Sequence, residues 1–321
     1  MPARRLAPYC AILDHVNASS REDADTSGPA TDRFKQDLEG TCWWCGAPAD
    51  SNEHKYKRSD LARILSAEGL YRGGADGGIT IRSIRRSPQV RFGRTMCHNC
   101  NNARSQPFDL SYDIFSDYLT KAMPKLWERD GLDMVEIFGQ DWRNHQLNLA
   151  RYYAKHFGSL MVDNGVPAPT GLIEFLDGAP HPRDCGMYFV KDEALHFGYE
   201  VMTCDGFDGI GYWISPGVFY TDIRGENLTS YEVATRIGYV GVLFKWRAGS
   251  DRSDSFLGHV EPVLNEIAMS HDQRRHLDKL VREVNDRPSP GTGDEPLPPL
   301  SALRNGMPGS DDTQSGDGPS E

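Results

Sequence analysis

The stretch Cys42-Trp-Trp-Cys45-Gly-Ala-Pro-Ala-Asp-Ser-Asn-Glu53-His54, with its counterpart Cys97-His-Asn-Cys100-Asn101-Asn-Ala-Arg104, decides the reading of this chain. Each Cys-x-x-Cys turn sets two thiolates about 4 Å apart, and each thiolate can reach a shared Zn²⁺ at ~2.3 Å. Two such knuckles close a tetrahedral site, so Cys42, Cys45, Cys97 and Cys100 are expected to hold a structural zinc. The metal would staple together two points of the chain with 51 residues between them, which a module with so thin a core needs. A redox role would require a thioredoxin-like strand–helix context, and neither pair has one. The closed site leaves no open position for water, so this zinc is not expected to be catalytic.

Outside the knuckles the chain is acidic, with a net charge of −11 over 321 residues, which by itself argues against a nucleic-acid ligand. The distribution says otherwise. Between Cys42 and Gln106 stand eleven Lys or Arg against five Asp or Glu, a balance of +6, leaving −17 on the other 256 residues. A basic module inside an acidic chain is what a phosphate-contacting site needs. No run approaches the ~20 apolar residues of a membrane span. Arg4 and Arg5 are followed by no apolar core, so the N-terminus does not read as a signal peptide and a reducing, cytoplasmic setting is expected. Cys185 and Cys204 then read as small buried hydrophobes, and Cys10 has no assigned role.

Residues 1–37 and 286–321 are poor in apolar periodicity and are expected to be disordered tails. Residues 38–109 form the knuckle module. It carries a helix at 58–68 capped by Ser59 or Asp60, a Gly-rich loop at 73–78, a strand at 79–84 and another near 89–96. Residues 110–285 form an α+β region, helices first and mainly antiparallel sheet after. Tyr112, Ile114, Phe115, Tyr118 and Leu119, and then Leu147 to Met161, show helical spacing; a short helix is expected at Gly171–Leu176. Met187–Val190, Leu195–Tyr199, Gly211–Ile214, Val218–Tyr220 and Tyr239–Trp246 read as strands, and Val260–Ile267 as a last helix.

In the order knuckle, Glu53-His54, knuckle, Asn101, the chain resembles the HNH endonucleases, in particular the branch whose ββα-metal core is pinned by two Cys-x-x-Cys knuckles. The resemblance covers residues 42–109, a fifth of the chain. It implies a metal-dependent endonuclease hydrolysing phosphodiester bonds, with DNA as the expected substrate and phage defence or a mobile element as the setting. His54 would take a proton from water, as an imidazole can at neutral pH. Glu53 and the amide oxygen of Asn101 are hard donors suited to a catalytic Mg²⁺ or Mn²⁺, and Arg104, one turn beyond Asn101, is placed to clamp a phosphate. Lys55, Lys57 and Arg58, and Arg82, Arg85 and Arg86 beyond them, are expected nucleic-acid contacts. Three features depart from the family. The spacer from His54 to Cys97 is long, an extra strand is inserted, and Arg91-Phe92-Gly93 stands where the middle Asn should fall. Asn101 also reads as a plain helix cap, Asp109 as the cap of a helix starting at Ser111, His98 as a solvated knuckle residue, and Trp43-Trp44 as packing around the zinc. The alternative reading is a zinc module that binds nucleic acid or protein without cutting. For 110–285 no catalytic pattern stands out, and a sensing or partner-binding role is expected.

Overall fold

The computed structural model describes residues 34–64, 70–72, 79–81, 87–204, 211–250, 255–275 and 279. Most of both tails, the 73–78 loop, and Arg82, Arg85 and Arg86 lie outside the described residues.

The architecture is mixed helix and sheet. Helix α1 (Arg58–Ile64) and the short antiparallel pair β1 (Leu70–Arg72) and β2 (Ile79–Ile81) belong to the knuckle region. After the second knuckle, a π-helical turn at Asn99–Ala103 leads into α2 (Gln106–Leu126). Pro107 sits in its first turn, where a missing N–H costs nothing. Phe108, Tyr112, Phe115, Leu119, Met123 and Leu126 form its buried stripe. Next come α3 (Met134–Phe138), whose N-cap Asp133 accepts from the amides of Val135 and Glu136, and then α4 (Trp142–Asp163) and α5 (Thr170–Leu176). Helices α2 and α4 pack together, with Tyr112 stacked on Tyr152 at 3.9 Å between ring centres.

The second half supplies the sheet: β3 (Cys185–Asp192), β4 (Tyr212–Ile214), β5 (Val218–Thr221), β6 (Leu228–Ile237), β7 (Val240–Arg247) and β8 (Asn265–Ile267), with α6 (Glu193–Cys204) after β3. The strand order is β4-β6-β7-β3-β8, with β5 also paired to β6. All pairs are antiparallel except β3 with β8. Strands β6 and β7 join through Gly238-Tyr239, with Gly238 at φ 58°, the conformation a two-residue hairpin with Gly first requires. The sheet packs on the helices through Phe115 on Phe189 and Phe157 on Phe244, at 5.4 and 4.5 Å.

One buried core runs from Cys42, Trp44 and Met96 through both long helices to Phe244 and Leu264. Position 109/110, where the sequence suggests a change of region, therefore lies inside α2 and over a shared core.

Several sequence-based elements are corrected. Helix α2 begins at Gln106, so Asp109 lies in its first turn instead of capping a helix at Ser111. Residues 88–96 hold a 3₁₀ turn (Pro88–Val90) and isolated bridges in place of a regular strand. Leu195–Tyr199 is helical: the Asp192 carboxylate accepts from the amides of Ala194 and Leu195, a cap that starts α6. Val260–Ile267 is not a helix. Pro262 cannot donate there, and the segment pairs its backbone outward instead. The amide of Leu132 donates to Pro262, that of Met134 to Val260, and β8 then joins β3. Strand β6, where apolar and polar residues alternate loosely, was not anticipated.

Candidate functional site

The four sulfurs of Cys42, Cys45, Cys97 and Cys100 lie within 4.8 Å of one another, and Cys45 Sγ and Cys97 Sγ are 3.6 Å apart. A tetrahedron of sulfurs around zinc has edges of about 3.8 Å. The cluster can therefore hold a metal ion such as zinc. The knuckles are held by backbone: Gly46 donates to the Cys42 carbonyl, Cys42 to Ala47 and Trp43 to Thr95. Burial pushes the Cys42 and Cys100 thiols up, whereas the Ala47 amide draws Cys45 down.

Arg104 serves this cluster. Its guanidinium lies over the Trp44 ring at 4.2 Å, donates to Cys100 Sγ at 3.5 Å and pairs with Asp177 at 2.5 Å. Trp44 Nε1 donates to the same Asp177 oxygen at 2.7 Å. The expected phosphate clamp is thus engaged with the knuckle and with α5, and Trp44 is core as read from the sequence.

The segment carrying Glu53 and His54 runs antiparallel to the one carrying Arg91. His54 bridges Arg91, the Lys55 amide donates to Val90, and the Phe92 amide donates to Glu53. Asn101 reaches back to the first of these segments, donating from Nδ2 to Ser51 Oγ at 2.7 Å. Its Oδ1 is buried with no hydrogen-bond partner among the described residues.

Glu53 and His54 face different neighbours, as alternation along an extended segment expects. Glu53 Oε1 lies 3.3 Å from Lys155 Nζ, which is also 3.7 Å from Asp109 Oδ1 and donates to Ser105 Oγ at 3.2 Å. Ser105 in turn donates to the Asn101 carbonyl at 2.9 Å. Burial raises the Glu53 carboxyl above its usual range, with Lys155 opposing that shift and Asp109 adding to it. His54 lies against Arg91 and Arg58, and its Nε2 is buried without a partner among the described residues. Burial first, then those two cations, lowers its affinity for a proton, so it is a neutral imidazole at pH 7.

The expected nucleic-acid contacts divide. Lys55 pairs with Asp163 at 2.6 Å, and Lys57 with Asp113 at 2.9 Å while donating to the Asp109 carbonyl. Arg58 is exposed and forms no ion pair among the described residues. His98 is exposed, as expected. It borders an open groove of about 930 Å³ that runs past Asp50, Asn102 and Gln106 to Asp109.

Sequence reasoning missed Lys155. The one signal was a lysine inside the aromatic run Tyr152-Tyr-Ala-Lys155-His-Phe157, where a helix buries its whole girth. It also missed Asp177, for which the sequence carries no signal.

No protein-family model, curated protein or solved structure matches the chain. No helix of the described residues is long and apolar enough to cross a membrane.

Proposed function

We propose that the chain is a metal-dependent endonuclease of the HNH type, with zinc on Cys42, Cys45, Cys97 and Cys100 and a separate Mg²⁺ or Mn²⁺ for cleavage, acting on DNA. The observation that carries this reading is the arrangement around the four-cysteine cluster. Two antiparallel segments bearing Glu53-His54 and Arg91 are followed by a helical run whose first turn brings Asn101 onto the first of them. That order supports a ββα-metal core.

The residues suit a divalent cation. Glu53 offers a carboxylate, and Asn101 Oδ1 is a buried hard oxygen whose lone pairs meet no donor among the described residues. When bound, the cation would act as a Lewis acid and neutralise charge on the leaving oxygen. His54 is the neutral base that accepts a proton from water at Nε2, and Arg58, exposed beside it and in no ion pair among the described residues, is a cation for a phosphate.

A second reading, a zinc module that binds nucleic acid or protein without cutting, is favoured by one specific observation. Glu53 and His54 face apart, and Lys55, Lys57 and Arg104 are committed to internal carboxylates. Plasmid nicking with added Mg²⁺ or Mn²⁺, wild type beside His54→Ala, separates the two. Cutting by wild type alone supports the nuclease and His54 as its base. No cutting by either, with zinc bound and the chain folded, moves the reading to the binding module.

A further inference from the structure

Lys155 is 1% exposed, in the middle of α4, and its ammonium faces Glu53, Asp109 and Ser105. Burying a lysine is costly unless its charge is met, and here two carboxylates meet it. The three charges sum to one negative. The second nearby cation, Lys57, is turned toward Asp113, at 2.9 Å against 3.9 Å from Asp109 Oδ1. The ammonium is therefore the resident counter-ion of the Glu53–Asp109 pair, supplied by a helix outside the knuckle module.

We propose that Lys155 governs how tightly the cleavage centre holds its divalent cation. This inference rests on the reading that Glu53 takes part in a Mg²⁺ or Mn²⁺ site. Any cation arriving at Glu53 shares that carboxylate with an ammonium 3.3 Å from Oε1. Like charges that close, away from bulk water, oppose one another far more strongly than they do in solvent. Lys155 thus has two effects. It holds the two carboxylates in place before the cation arrives, and it weakens the cation's hold so that the cation exchanges. Asp109 also borders the open groove, so this cluster reaches the groove's edge.

The test is a Mn²⁺ titration of the zinc-loaded full chain followed by electron paramagnetic resonance, with zinc content and circular dichroism as controls for folding. In Lys155→Met the Mn²⁺ concentration at half-saturation should fall by about tenfold or more. Lys155→Arg should return it to the wild-type value, and Glu53→Gln added to Lys155→Met should abolish the gain. A lysine that only supports the fold would, when removed, weaken binding and never tighten it. Should the Met variant fail to fold, Lys155→Gln keeps a donor for Ser105 and removes the charge. Folded variants that bind Mn²⁺ no tighter than wild type overturn this inference and leave the nuclease reading standing. Absence of Mn²⁺ binding in wild type and in both variants overturns the cation reading itself, and this inference with it.

Discussion

Replacing Gly158 by alanine tests whether the first knuckle is seated on α4 as described. Gly158 is buried inside that helix, and a Cβ there would lie 2.5 Å from Trp43 Cη2 and 2.8 Å from both Cζ2 and Cζ3. In an open helix interior, Gly→Ala gains about 1 kcal/mol from propensity. Here the methyl meets a ring that cannot easily retreat. The Trp43 amide donates to Thr95, Cys42 is tied to Ala47, and Trp44 is bonded to Asp177. Overpacking of this kind costs about 1–3 kcal/mol. With overlap against three ring atoms we place the cost at the upper end, so the net effect is a loss of roughly 1–2 kcal/mol. For a domain of this size that lowers the melting temperature by roughly 2–8 °C. The assay is thermal unfolding by circular dichroism of wild type, Gly158→Ala, Trp43→Ala and the double variant. Once Trp43 is truncated, Gly158→Ala should turn stabilising, a coupling of about 2–3 kcal/mol across the cycle. A Gly158→Ala variant that melts at or above wild type would refute the packing argument.

Three further outcomes follow from the same geometry. Asp60 is fully buried and accepts from Tyr112 and Ser116 at 2.7 Å each and from Arg63 at 3.2 Å, so Asp60→Ala strands two buried hydroxyls; a loss of about 2–4 kcal/mol in urea denaturation is expected, and a loss under 1 kcal/mol would contradict the network. His156, buried against Phe92 and Tyr152, has its pKa pushed down to about 3, by burial first and then by Lys155 and Lys55. A depressed pKa means the unfolded chain binds the proton more readily, so this stability is fully present above about pH 6.5 and drains as pH falls toward 3. Between pH 6.5 and 5 the loss should be about 1–2 kcal/mol, and urea midpoints of His156→Gln should show a flatter slope over that interval. Finally, Cys100→Ser should abolish zinc binding and loosen the knuckle region, read by metal analysis and near-ultraviolet circular dichroism; a variant that keeps both signals would remove Cys100 from the ligand set.

What the sequence discloses here depends on how far apart the interacting residues stand. The four cysteines were legible because each knuckle carries its chemistry in four consecutive residues, and α2 and α4 because their buried stripes repeat within a turn. Leu195–Tyr199 was misread because its aromatic content suits a strand, while the carboxylate that starts the helix belongs to the end of the preceding strand. Lys155 was illegible for the same reason at longer range, since Asp109 and Glu53 reach it from α2 and from the first knuckle's far side. The charge asymmetry gains a different meaning once the pairs are known. Lys55, Lys57 and Arg104 of the basic stretch are met by Asp163, Asp109 with Asp113, and Asp177, all from the acidic remainder of the chain. Part of the module's positive charge is therefore a docking charge for its own neighbouring helices, which explains how a basic module and an acidic region come to share one core. If the chain contacts nucleic acid as proposed, the contact rests on the cations left over. Of those described, Arg58 and Arg94 are exposed and Arg91 has a buried Nε without a partner; Arg58 and Arg91 lie beside His54. Under the nuclease reading, His54 and its two arginines act on the phosphate from one side of the segment, and Glu53 would bring the cation to that same phosphate from the other. The His54→Ala and Lys155→Met variants therefore probe opposite faces of one short stretch of chain.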